Sequence, residues 1–107
     1  MSDPSVVFVH GAGADHTVWR FQTRWLANRG CSVTAPDLPG HGSEPGPALE
    51  SVEEIADWLA PRLAGGPVVV VGHSMGAFVA IETAVRNPDR LSGVVLVGAA
   101  PRMAVNP

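Results

Sequence analysis

Gly72-His73-Ser74-Met75-Gly76 sets one hydroxyl between two glycines, directly after the apolar run Val68–Val71 and directly before a second apolar stretch opening at Met75. A serine hydroxyl attacks carbon only when a base removes its proton and donors receive the charge that develops. A G-x-S-x-G string alone is a weak signal. A strand before it and a helix after it make the signal specific, because a tight strand-to-helix turn lifts the serine above the strand end. Such a turn strains the backbone at a residue bearing a side chain, and small neighbours let adjacent backbone pass close by. It also sets the serine at a helix N-terminus, where amide hydrogens lack intrahelical partners. The chemistry indicated is nucleophilic attack by Ser74.

The base is the missing part. His10, His16, His41 and His73 all precede Ser74, and only Glu82 and Asp89 supply carboxylates after it. His10 and His73 flank the proposed site, and neither is expected to act as its base. The four histidines do not read as a metal site, since none are paired at i, i+4 or joined by nearby carboxylates. Gly11-Ala12-Gly13 fails as a dinucleotide fingerprint because His16 stands where the third glycine is needed. No cofactor is expected. Asp37 and His41 lie in a Gly/Pro-rich segment where turn formation is the default role.

The elements that would position Ser74 alternate along the chain. Ser5–Val9, Cys31–Ala35, Val68–Val71 and Val94–Val97 read as strands, the second weaker than the others. Continuous rather than alternating hydrophobicity means that both faces are buried, the mark of parallel strands covered by helices. Between them, Thr17–Arg29 carries Val18, Phe21, Trp25 and Leu26 near one face, with Gly30 as its stop. Ser51-Val52-Glu53-Glu54 is a capping box that opens a helix with Val52, Ile55, Ala56, Leu59 and Leu63 as its stripe, shortened or kinked by Pro61. Met75–Asn87 is apolar on nearly every side, as a deeply packed helix would be, and Asn87-Pro88 ends it. Residues 36–47, with four prolines and three glycines, form the one long loop. The β-α-β-α-β-α-β order predicts an α/β fold: a three-layer αβα arrangement around a mostly parallel four-stranded sheet.

Composition bounds the partners. The 107 residues are 46% hydrophobic, enough for one core and not for two domains. Seven basic against ten acidic residues, net −3, give no footprint for nucleic acid or an anionic membrane surface. No apolar run approaches the roughly 18 residues of a bilayer span. The N-terminus does not read as a signal peptide, and the single Cys31, expected as a small core residue, suits a reducing compartment. A cytoplasmic protein is expected. Trp19, Trp25 and Trp58 are expected in the core or half-buried, Trp19 alone being placed to line a pocket mouth.

With these residues in view, the chain resembles the α/β-hydrolase family along nearly its whole length. Val9-His10-Gly11-Ala12-Gly13 is similar to the family's HG-x loop, and Asp37-Leu38-Pro39-Gly40-His41-Gly42-Ser43 to its D-x-x-G-x-G-x-S segment. The elbow at Ser74 comes third, in the family's order. The resemblance implies Ser74 as nucleophile, the amides of Met75 and Ala12 as the oxyanion hole, and His10, Gly11 and His73 as pocket lining. It implies a serine hydrolase acting on an ester, lactone, thioester or related acyl bond of a small molecule. The family's triad runs Ser, then Asp or Glu, then His; here residues 1–107 would be the N-terminal part of such a domain, without its lid and C-terminal triad region. Pro101-Arg102-Met103 falls about where the lid would begin, whereas the start at Ser5–Val9 is natural for compact members. The family's strand order, second-first-third-fourth, would leave Val94–Val97 as an uncovered apolar edge. A chain of this kind is expected to be inactive alone. It would be completed by a complementing C-terminal chain or a copy of itself, or it would serve as a non-catalytic binding module.

Overall fold

The valine-rich segments pair as one sheet. In the computed structural model, which describes residues 4–63 and 65–98, the strands are β1 (Ser5–Val9), β2 (Val33–Thr34), β3 (Val68–His73) and β4 (Leu91–Val97). Their spatial order is β2-β1-β3-β4 and every pairing is parallel. Register sets Val9 against Gly72 and His73 against Val97, so the strands end together at the edge where Ser74 emerges. The sheet is the expected α/β core, with the direction that the sequence pattern predicts and the order that the resemblance implies.

Alternate residues of a strand face opposite sides, and two clusters result. Val7, Val9, Val68 and Val70 pack with Ile55 and Leu59 of α2 (Val52–Leu59) and Val79 and Ala80 of α3 (Met75–Arg86). Each fully buried valine contributes roughly 1.5–3 kcal/mol. Phe8 and Val71 face the other way, against Trp19 and Leu26. Trp19 is buried with its ring centroid 4.9 Å from Phe8, a core residue rather than a pocket rim.

The expected helix over residues 17–29 is split. A 3-10 turn, His16–Trp19, capped by the Asp15 carboxylate, leads into α1, Arg20–Ala27. No residue of α1 is buried: Phe21 is 68% and Trp25 54% exposed, with the Arg29 guanidinium stacked 3.4 Å from the Trp25 ring centre. The helical spacing holds, but only Leu26 reaches the sheet. On α2 the Ser51 hydroxyl accepts the Glu54 amide at 3.1 Å, and the Glu54 side chain returns to that hydroxyl. Pro61 shortens this helix as expected, Ala60–Arg62 tightening to a 3-10 turn.

Three further expectations shift. β2 covers two residues rather than five, because the Cys31 amide is tied to the Leu26 carbonyl and Pro36 has no amide to give. Cys31 is accordingly half-buried rather than in the core. α3 buries Ala77, Val79, Ala80 and Thr83 but exposes Ile81 and Val85, so it is packed on one side only. The segment 101–103, where a lid was expected to begin, lies outside the described residues.

Candidate active site

Ser74 occupies the single residue between β3 and α3, with φ 57° and ψ −118°. Among the described residues it is the only non-glycine with positive φ, a conformation that costs of order 1–3 kcal/mol and persists only where the surroundings enforce it. They do so from three sides. A Cβ on Gly72 would overlap the Gly76 carbonyl, and one on Gly76 would overlap the Val9 carbonyl, so the turn closes only with glycine at both places. The Ser74 amide donates to the Val97 carbonyl at 3.1 Å, which anchors the elbow to β4. The Ser74 carbonyl accepts the Ala77 amide at 3.0 Å as α3 begins.

The loop after β1 meets this turn edge-on. A Cβ on Gly11 would lie 3.3 Å from both the His73 carbonyl and the Ser74 Cβ, so the chain at Gly11 passes directly beside the serine. Met75, which follows Ser74, begins α3 and is half-buried against the larger cluster. Ala12, which follows Gly11, is exposed. His73 is also exposed, its ring set edge-on to Trp19 at 6.3 Å between centroids and close to Gly98.

His10 is different: it has no exposed surface. Its Nδ1 donates to the Gly11 carbonyl at 2.8 Å and its Nε2 accepts the Leu38 amide at 3.0 Å. What it contributes to the site is the placement of backbone. Neither of its nitrogens is left for a substrate.

Asp37 ties the same two loops from outside. One carboxylate oxygen accepts both the His16 amide and His16 Nδ1 at 2.8 Å, and the other accepts the Ser43 amide and hydroxyl at 2.9 Å. Burial alone would push this carboxyl up, but the Ser43 and His16 hydrogen bonds outweigh it and hold the group well below the usual carboxylate range. Gly42, at φ 53°, lies so close that a Cβ would overlap the carboxylate. Composition suggested only turn formation for Asp37 and His41. The segment Asp37-Leu38-Pro39-Gly40-His41-Gly42-Ser43 was the signal for more, since its D-x-x-G-x-G-S spacing brings Gly42 and Ser43 onto the Asp37 carboxylate. Ligand-type atoms of Asp15, His16 and Asp37 lie within 4.8 Å of one another, yet Asp37 already accepts four protein donors, which reads as a loop brace.

Two hollows open nearby. One, about 690 Å³, lies between the loops after β1 and β2 and is lined by Gly13, Asp15, Thr17, His41 and Gly42 among others. A second, about 390 Å³, lies against α1 between Phe8, Phe21 and Trp25. Ser74 lines neither. After Ser74, Glu82 is paired with Arg86 at 2.9 Å on the surface of α3, and Arg86 in turn with Asp57. No histidine follows in the sequence.

Residues 6–107 match the family model described as the alpha/beta hydrolase family. A pimeloyl-[acyl-carrier protein] methyl ester esterase of Aromatoleum aromaticum is 38% identical over all of this chain and 42% of its own length. Among solved structures, a thermophilic esterase superimposes with a TM-score of 0.80 at 35% identity, over 98% of this chain and 40% of its own. A thioesterase domain from the curacin biosynthetic pathway does so with a TM-score of 0.76 at 33% identity, over 88% of this chain and 37% of its own. The chain therefore spans about two-fifths of the proteins it matches.

Proposed function

Because this chain belongs to the alpha/beta hydrolase family, we propose that Ser74 is the nucleophile of a serine hydrolase site acting on an ester, thioester, lactone or related acyl bond. The observation that carries this is the φ of 57° at Ser74, held between two glycines that tolerate no side chain. In this reading Ser74 Oγ attacks the acyl carbon while its proton passes to a base. The carbonyl oxygen takes up negative charge against the amides of Met75 and Ala12, each worth about 2.7–4 kcal/mol when preorganised. Collapse expels the alcohol or thiol, and water repeats the sequence on the acyl-serine. Gly11 and His73 line the approach.

The base and its orienting acid come from outside these 107 residues, either from further chain or from a partner chain. His10 has both nitrogens committed to backbone, and no histidine follows Ser74. The substrate is a small acyl compound, in keeping with the ester and thioester substrates named for the relatives. No helix among the described residues is long and apolar enough to cross a membrane, and we place the protein in the cytoplasm on its single cysteine.

Two measurements test this. Turnover of a p-nitrophenyl ester by the 107-residue chain should equal that of a Ser74→Ala control; a rate well above the control would reveal a base within these residues. In a chain as long as its relatives, a fluorophosphonate should label Ser74, and failure to label it there sinks the nucleophile assignment. The missing base also favours a second reading, a non-catalytic binding module, which that failure would support.

A further inference from the structure

His10 and His41 stand on the loops after β1 and β2, and each is bonded to both. His10 donates from Nδ1 to the Gly11 carbonyl of its own loop and accepts at Nε2 the Leu38 amide of the other. His41 repeats the pattern: Nδ1 donates to the Pro39 carbonyl at 3.0 Å, and Nε2 accepts the Gly13 amide at 3.2 Å. A backbone amide can only donate, so each Nε2 carries a lone pair and each Nδ1 the proton. The two rings lie 5.0 Å apart between centroids. Each histidine braces its own loop with one nitrogen and catches the opposite loop with the other.

What the pair encloses is Ala12. The Gly11 carbonyl and the Ala12 amide belong to one planar trans peptide and point in opposite directions. Holding that oxygen on His10 Nδ1 and on the Ala14 amide, 3.2 Å away, therefore sets where the Ala12 N–H points. The Gly13 amide belongs to the next peptide, and His41 holds it. Both torsions of Ala12 are fixed by a histidine nitrogen on either side. Hydrogen bonding at the Gly11 oxygen also polarises that peptide and strengthens its N–H as a donor.

From this we infer that His10 and His41 are a reciprocal pair of positioning residues for the Ala12 amide, acting only as neutral, Nδ1-protonated imidazoles. The inference rests on Ala12 being an oxyanion donor.

Long-range proton–nitrogen correlation spectra of the 107-residue chain, labelled with 15N-histidine, read the tautomers directly. Nδ1–H with an unprotonated Nε2 is expected for both rings at neutral pH; an Nε2–H form of either overturns the pair. Amide exchange at Gly13 should run about tenfold faster in His41→Ala. It should return close to the original rate in His41→Gln, whose Oε1 offers an acceptor near the Nε2 position. The Ala12 amide resonance should move in the first variant and revert in the second, and equal behaviour in all three proteins overturns the inference. None of these readouts needs turnover, so they separate the two ideas. A wrong tautomer beside a Ser74 that reacts with fluorophosphonate removes the clasp alone. An intact clasp beside an unreactive Ser74 in the longer chain removes the hydrolase reading alone.

Discussion

Ser74 and Asp37 show two ways in which single residues hold this site, one by shape and one by charge. At the elbow the constraint is steric, since the carbonyls of Gly76 and Val9 occupy the space that side chains at 72 and 76 would need. Gly76→Ala should lower stability by about 3 kcal/mol or more, as overpacking against backbone does at its worst, read as a shift of the urea midpoint. Asp37 is electrostatic: its depressed folded value means that its contribution is complete above the ordinary aspartate range near 3.9 and fades as pH falls through the lower folded value. Unfolding measured in acid should therefore show the loops after β1 and β2 loosening only below about pH 4. Asp37→Asn should show no such acid dependence at this position and should cost about 1–3 kcal/mol at neutral pH. Glycine spacing made the elbow legible from the chain alone, because G-x-S-x-G reports a purely local turn. The tie from His41 to Gly13 was not legible, since its partner lies 28 residues away and no local pattern marks it.

Helix caps follow local rules closely, whereas strand bounds and burial follow them only in part. The Ser51 cap opens α2, whose Ile55, Ala56 and Leu59 are buried. Ser51→Ala should cost about 1 kcal/mol with the fold retained, visible as a lower denaturation midpoint at unchanged slope. α1 marks the limit of such reasoning. Its Phe21 and Trp25 repeat at helical spacing, yet both are exposed, because periodicity states which residues share a face and not whether anything lies opposite. β2 is cut short by a helix-bound amide at Cys31 and by Pro36, where the apolar run alone suggested five residues.

At the scale of the molecule, the two sheet edges are managed differently. β2 is a two-residue edge, too short to template another strand, whereas β4 presents Val94, Val95, Leu96 and Val97 at 36–47% exposure along seven residues. A long apolar edge is an association site. Light scattering of the 107-residue chain should show concentration-dependent assembly that Val95→Lys reduces, and a monomer at all concentrations would count against β4 as the contact. The parallel direction of the strands was legible through the alternation of valine runs with helical segments, and their spatial order through the family resemblance. The openness of β4 was legible only through resemblance to longer proteins. The bond from the Ser74 amide to the Val97 carbonyl then makes the rim of the sheet and the reactive turn thermodynamically linked. Anything that straightens and orders the last strand narrows the wandering of that carbonyl, and with it the serine.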